Sequence, residues 1–252
     1  MLVPRRRFIV VLLAVFVLGC DARGNVDRPG PPTASTSAVA SPDIPPTATQ
    51  TPPPTPPPIR RDIQATRLTI SRLNIDAPVL TSRVTPYVYS PPPGCPPRPQ
   101  DTSTVTVPNQ GIATPVENFE GLENKAWIYG HSRWLGSPGT FFALQDINVG
   151  DELLIDGTER NTSERVERQR FIVDGLYLAD MDSGATLINA AGPEDIPTKP
   201  LVILQTSVRE EGAGKTWIFD RSKLLAKSKN LVEGNLDDPC RYLLFFVFAS
   251  AS

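Results

Sequence analysis

The sequence is poor in the side chains that most often carry chemistry: 252 residues hold one histidine, three cysteines and two methionines. With His131 as the sole histidine and no Cys-x-x-Cys pair, the ligand spacing of a zinc site is missing, and no metal is implied. Phosphate-binding loops are missing too. Gly212-Ala213-Gly214-Lys215 lacks the preceding glycine spacing that such a loop needs, so it reads as a flexible turn before Trp217 and no cofactor is implied. A net charge of -2 provides no basic field for nucleic acid. Long apolar runs are also scarce, and the longest opens the chain.

That run, Phe8 to Leu18, follows Arg5, Arg6 and Arg7 and precedes Gly19 and Cys20. A basic start, an apolar stretch too short to span a bilayer comfortably and a small residue at the cut describe an export signal. Val17-Leu18-Gly19-Cys20 resembles a bacterial lipobox, which implies lipidation of Cys20; an uncleaved signal anchor and a plain signal peptide are the other readings. All three put the rest of the chain outside the cytoplasm, and the first two hold it on the outer face of the cytoplasmic membrane. From Arg28 to Pro58 the chain holds 12 of its 28 prolines and no aromatic residue. It therefore has too little apolar surface to offset the entropy of ordering, and proline density favours an extended tether. The expected organisation is a signal at 1–19, a tether at 20–60 and one folded domain at 61–252.

In that domain, short runs rich in Val, Ile, Leu and Thr are bounded by Pro, Gly, Asn and Asp, which predicts strands. Leu68 and Ile70 alternate with Thr69 and Ser71, Val79 and Leu80 follow a proline, and Thr102 to Val107 is a β-branched alternation. Trp127–Tyr129, Glu152–Ile155, Phe171–Leu178, Leu201–Leu204 and Tyr242–Phe248 bring the strands to about eight. Helical patterns are confined to Thr140–Asp146, Thr186–Ala191 and Asp220–Lys229. The last strand is too apolar on both faces for a sheet edge, so the fold class predicted is all-β, a closed barrel with short helices inserted between strands. Cys95 and Cys240 share an oxidising setting in which they either pair or remain free.

His131 follows Gly130 at the end of a predicted strand, where a side chain is presented at a loop mouth and an imidazole can act as acid or base near neutral pH. Gly130-His131, then Gly139-Thr140-Phe141-Phe142-Ala143-Leu144, then Val149-Gly150-Asp151-Glu152-Leu153 resemble the sortase family. Ile70 to Val79 resembles that family's opening strand pair, and Leu204-Gln205-Thr206-Ser207 resembles its Leu-x-Thr-Cys, so the resemblance runs from about 64 to 249. It implies an eight-stranded barrel with the nucleophile ending the seventh strand, the histidine across a groove and an arginine on the eighth strand. Carried over, these are Ser207, His131 and Arg241, with Thr206 and Gly130 at the substrate groove; Arg209 and Arg221 remain alternatives to Arg241. The resemblance further implies cleavage of a surface protein's sorting signal and transfer of its acyl group to an amine on the cell wall or a pilin.

Serine stands where the resemblance implies cysteine. A thiol with a pKa near 8.5 offers a thiolate directly, whereas a hydroxyl must lose its proton to a positioned base as it attacks. Three readings follow: Ser207 is a working nucleophile, the domain binds peptide or serves as a scaffold without turnover, or another cysteine substitutes. Cys240 fits the third reading poorly, since it precedes Arg241 directly and neighbouring strand residues face opposite sides. Cys95, in the proline-rich run Pro91 to Pro97, fits it poorly as well.

Overall fold

Residues 61–87, 93–96, 102–116, 121–189, 199–209 and 217–252 are described in the computed structural model. All lie in the second of the two units into which the chain divides, Pro56–Ser252. The expected signal, the tether with Cys20 and the Gly212–Lys215 run fall outside the described residues.

In chain order the strands are β1 (Ile63–Ile70), β2 (Ile75–Ser82), β3 (Val84–Tyr87), β4 (Thr102–Val105), β5 (Ile112–Pro115), β6 (Lys125–Gly130), β7 (Arg133–Trp134) and β8 (Ser137–Pro138). Next come β9 (Glu152–Glu159), β10 (Arg165–Asp180), α1 (Met181–Asn189), β11 (Leu201–Ser207), α2 (Arg221–Lys227), β12 (Lys229–Asn230) and β13 (Leu243–Ala251). Pairing runs β10-β13-β11-β6-β5-β2-β1-β9, and β9 pairs again with β10, closing an eight-stranded barrel. Two of its contacts, β2 with β5 and β6 with β11, are parallel. β12 adds to β10 from outside, and β3–β4 and β7–β8 form separate ribbons.

Alternation sets the barrel interior. In β1, Ile63, Ala65, Leu68 and Ile70 are buried, and a bulge between Ala65 and Arg67 resets the period so that both pairs face inward. The main core joins these to Ile128, Val202, Leu204, Phe245 and Val247. Tyr177, Leu201, Ile203, Leu244, Phe246 and Phe248 form a second cluster with Leu187 and Ile188 of α1. β13 is therefore covered on both faces, as its unbroken apolar run predicts. Each large side chain buried this way contributes about 1.5–3 kcal/mol. Gly184 lets α1 lie close, since a Cβ there would sit 2.8 Å from Cζ of Phe246.

The predicted barrel is present, but its strand list differs in one member. Thr102–Val105 pairs with β3 outside the barrel, and the missing place is filled by Ile112–Pro115. Of the helical patterns, 142–146 is a 3-10 turn, α1 begins five residues before the predicted Thr186, and α2 follows an Asp220 side chain that accepts from the Lys223 amide.

Candidate functional site

The parallel pair β6–β11 builds the site. Its register runs from Leu201 opposite Lys125 to Gln205 opposite Tyr129. Continued at the same step, Thr206 lies beside Gly130 and Ser207 is level with His131, on strands about 4.8 Å apart. On the other side Ser207 pairs with Leu244 of β13. Since Val202 and Leu204 face the main core, Thr206 also faces inward and Ser207 outward. An inward hydroxyl needs a partner, and Thr206 Oγ1 donates to the Gly130 carbonyl at 2.8 Å. Thr206 therefore ties the strand carrying Ser207 to the residue before His131.

Beyond Gly130 the chain doubles back tightly. The Phe141 amide donates to the His131 carbonyl at 3.1 Å, and the Gly139 amide to the Ser132 carbonyl at 2.9 Å. This closeness requires glycine: a Cβ on Gly139 would lie 2.2 Å from the His131 carbonyl oxygen, and one on Gly130 would lie 2.8 Å from Cγ2 of Ile112. The ribbon β7–β8 turns through Leu135 and Gly136, at φ 46° and 82°. It brings the Trp134 ring to 4.5 Å from the His131 ring, inclined by 32°. Burial pushes the half-buried His131 below its ordinary pKa of 6.5, and a hydrogen bond to the Val107 carbonyl opposes that only in part. The imidazole is therefore mainly neutral at pH 7.

Register brings Ser207 and His131 level, but among the described residues no hydrogen bond joins their side chains. Among the described residues, the hydrogen-bond partner of the Ser207 hydroxyl is Ser132, with the two Oγ atoms 3.2 Å apart. Ser132 is fully buried, whereas His131 is turned to Trp134 and Val107.

Arg241 lies two residues before β13. Its guanidinium meets Asp180 at 2.9 Å and Asp238 at 3.6 Å. The alternatives are held elsewhere. Arg209, buried, donates to the backbone carbonyls of Leu236 and Asp238, while Arg221 pairs with Asp237 at 2.8 Å and lies over Trp217. Beside Arg241, Cys240 is joined to Cys95 by a disulfide with Cα atoms 5.3 Å apart, so neither offers a free thiol. Asp238 organises this turn, accepting from the amides of Cys240 through its side chain and Arg241 through its carbonyl.

A shallow depression of about 310 Å³ lies along β2 and β5, lined by Leu80, Ser82, Arg83, Thr106, Pro108 and Ala113 among others. Thr106 and Pro108 flank Val107, so the segment that holds the His131 ring also forms the rim of this depression. Val107, Trp134 and Asp180 carry no sequence signal that ties them to the site. A hydroxyl residue directly after the lone histidine was the one local hint of Ser132.

No protein-family model matches the sequence, and no curated protein matches it. Among solved structures, the SrtA sortase from Actinomyces oris is similar at 17% identity and a TM-score of 0.41, covering 77% of this chain and 83% of that one. Sortase A from Corynebacterium diphtheriae, a lid mutant, shows 15% identity, a TM-score of 0.40 and coverage of 78% and 74%. A pilus-related sortase C of Group B Streptococcus shows 11% identity, a TM-score of 0.39 and coverage of 76% and 68%.

Proposed function

We propose that the domain is an extracytoplasmic, sortase-like module that binds an extended peptide, a surface protein's sorting signal, across the outer barrel face near Ser207 and His131. The observation that supports it is the parallel β6–β11 register, which, continued by two residues, sets Ser207 level with His131 just past the Gly130 strand end. Export and a membrane hold, through a lipid on Cys20 or an uncleaved anchor, complete the reading, with an amine of the cell wall or a pilin as acceptor.

Acyl transfer at this site runs through Ser207. Once the His131 ring has turned within reach, Oγ would bond to the peptide carbonyl carbon as the serine proton passes to neutral His131 and on to the departing amine; the acceptor amine would then displace Oγ from the ester, its proton returning through His131 to Ser207. Arg241 would donate to the developing oxyanion only after releasing Asp180 and Asp238. One observation favours a second reading, binding without turnover: Ser207 Oγ is bonded to Ser132 and not to the imidazole.

The test uses the full-length protein with Leu-Pro-x-Thr-type peptides and an amine acceptor. Turnover lost in Ser207→Ala supports transfer. Binding without turnover, with activity gained in Ser207→Cys, supports the second reading. Failure of both the wild type and Ser207→Cys to bind any such peptide refutes the peptide-binding function.

A further inference from the structure

We propose that Ser132, not His131, is the residue that positions the reactive atom at 207, its hydroxyl holding Ser207 Oγ in one rotamer and donating to that atom whenever it carries negative charge. The inference rests on reading 207 as the reactive position.

Ser132 has little freedom to do otherwise. The three successive carbonyls around it are each taken: Gly130 by Thr206 Oγ1, His131 by the Phe141 amide and Ser132 by the Gly139 amide. These bonds fix the backbone on both sides and with it the direction of the Ser132 Cα–Cβ bond. The side chain is fully buried, and a buried hydroxyl left without a partner is destabilising, so the contact with Ser207 satisfies both groups. The His131 ring lies against Trp134 and bonds the Val107 carbonyl, and among the described residues no hydrogen bond joins it to Ser207. Arg241 is held by Asp180 and Asp238. Among the described residues, Ser132 is the hydrogen-bond partner that the Ser207 hydroxyl already has.

A hydrogen bond to the charged form of a group favours ionisation, so the effect can be read from a thiol placed at 207. In full-length Ser207→Cys, the rate of alkylation by iodoacetamide is followed against pH, with the product at position 207 separated by peptide mass spectrometry from Cys20 and from the disulfide cysteines. Adding Ser132→Ala is expected to slow alkylation at pH 7 about tenfold and to move the pH profile upward, in line with the loss of one charge-assisted hydrogen bond. Adding Ser132→Thr, which keeps the hydroxyl, is expected to restore the profile. Thermal unfolding of each variant identifies any general loss of structure. An unchanged profile in Ser132→Ala, or a larger change in His131→Ala than in Ser132→Ala, overturns the proposal. No peptide enters this measurement, so failure of peptide binding would sink the functional reading while leaving the positioning role standing.

Discussion

Gly139→Ala tests whether the close approach behind His131 holds the site together. The added Cβ would lie 2.2 Å from the His131 carbonyl oxygen, 2.8 Å from its carbonyl carbon and 3.2 Å from its Cβ. Two of those atoms are backbone, so no side-chain rotation relieves the overlap and one of the two strands of chain must move. Movement lengthens the Gly139–Ser132 and Phe141–His131 hydrogen bonds, now 2.9 and 3.1 Å. Losing them costs about 1 kcal/mol each, and overpacking adds about 1–3 kcal/mol. The expected destabilisation is therefore about 3–5 kcal/mol, measured by urea unfolding of the full-length protein with an unchanged slope against denaturant. Gly136→Ala is the contrast: its added Cβ meets nothing within 4 Å, and φ is 82°, so only the left-handed backbone penalty of about 1–2 kcal/mol applies. Equal effects from the two substitutions, or less than about 0.5 kcal/mol from Gly139→Ala, would refute the reasoning, because the tight turn would then not be what fixes residues 130–132.

Replacing Cys240 by serine should lower stability by about 2–5 kcal/mol, since the disulfide spans a sequence separation of 145 and releasing it restores chain entropy to the unfolded state; an unchanged denaturation midpoint would count against it. As the sole histidine, His131 gives one imidazole NMR signal, which should titrate below 6.5, and Trp134→Ala should raise its pKa toward the ordinary value by admitting water. The unfolded chain takes up this proton first, so the stability linked to His131 is full above pH 6.5 and is lost as pH falls through the lower folded value. Comparing unfolding of the wild type and His131→Gln across that window checks the sign. Leu135 is 89% exposed at φ 46°, so Leu135→Asn should stabilise by about 0.5–1 kcal/mol in thermal unfolding, as an asparagine tolerates the left-handed region better.

The barrel was legible where residues repeat with period two against one buried face, as in Leu68–Ile70, or where a strand is apolar throughout, as in β13. β5 was not, for a physical reason. Its four residues, Ile112–Pro115, are all buried, so they show no alternation, and the terminal proline argues against a central strand. Thr102–Val105 alternates well but spends its pairing on β3. The start of α1 was displaced because Gly184 obscures the helical pattern, while the Asp180 side chain, which accepts from the Ser183 amide, marks the true beginning. In the site, Thr206, Ser207, Gly130 and His131 are readable together because a parallel pair preserves register along both strands. The Ser132 contact is a product of how the chain turns after Gly130, which register does not determine.

The surroundings of position 207 also bear on why the atom there is an oxygen. A thiolate gains from an adjacent imidazolium or an unpaired arginine, which lower its pKa. Here the imidazole is pushed toward its neutral form by burial, and Arg241 shares its charge with two carboxylates. The group in contact with 207 is a neutral hydroxyl. Such a setting offers a charged sulfur the Ser132 hydrogen bond without an ion pair beside it, whereas it satisfies an uncharged alcohol with that one ordinary hydrogen bond. A thiol placed at 207 would therefore have the Ser132 hydroxyl as its donor, with Arg241 held by its own carboxylates. Because the Arg241 guanidinium is shared between Asp180 and Asp238, adding Asp180→Asn to Ser207→Cys is expected to leave it on Asp238 and the alkylation pH profile unchanged, and a downward shift of that profile would refute this reading.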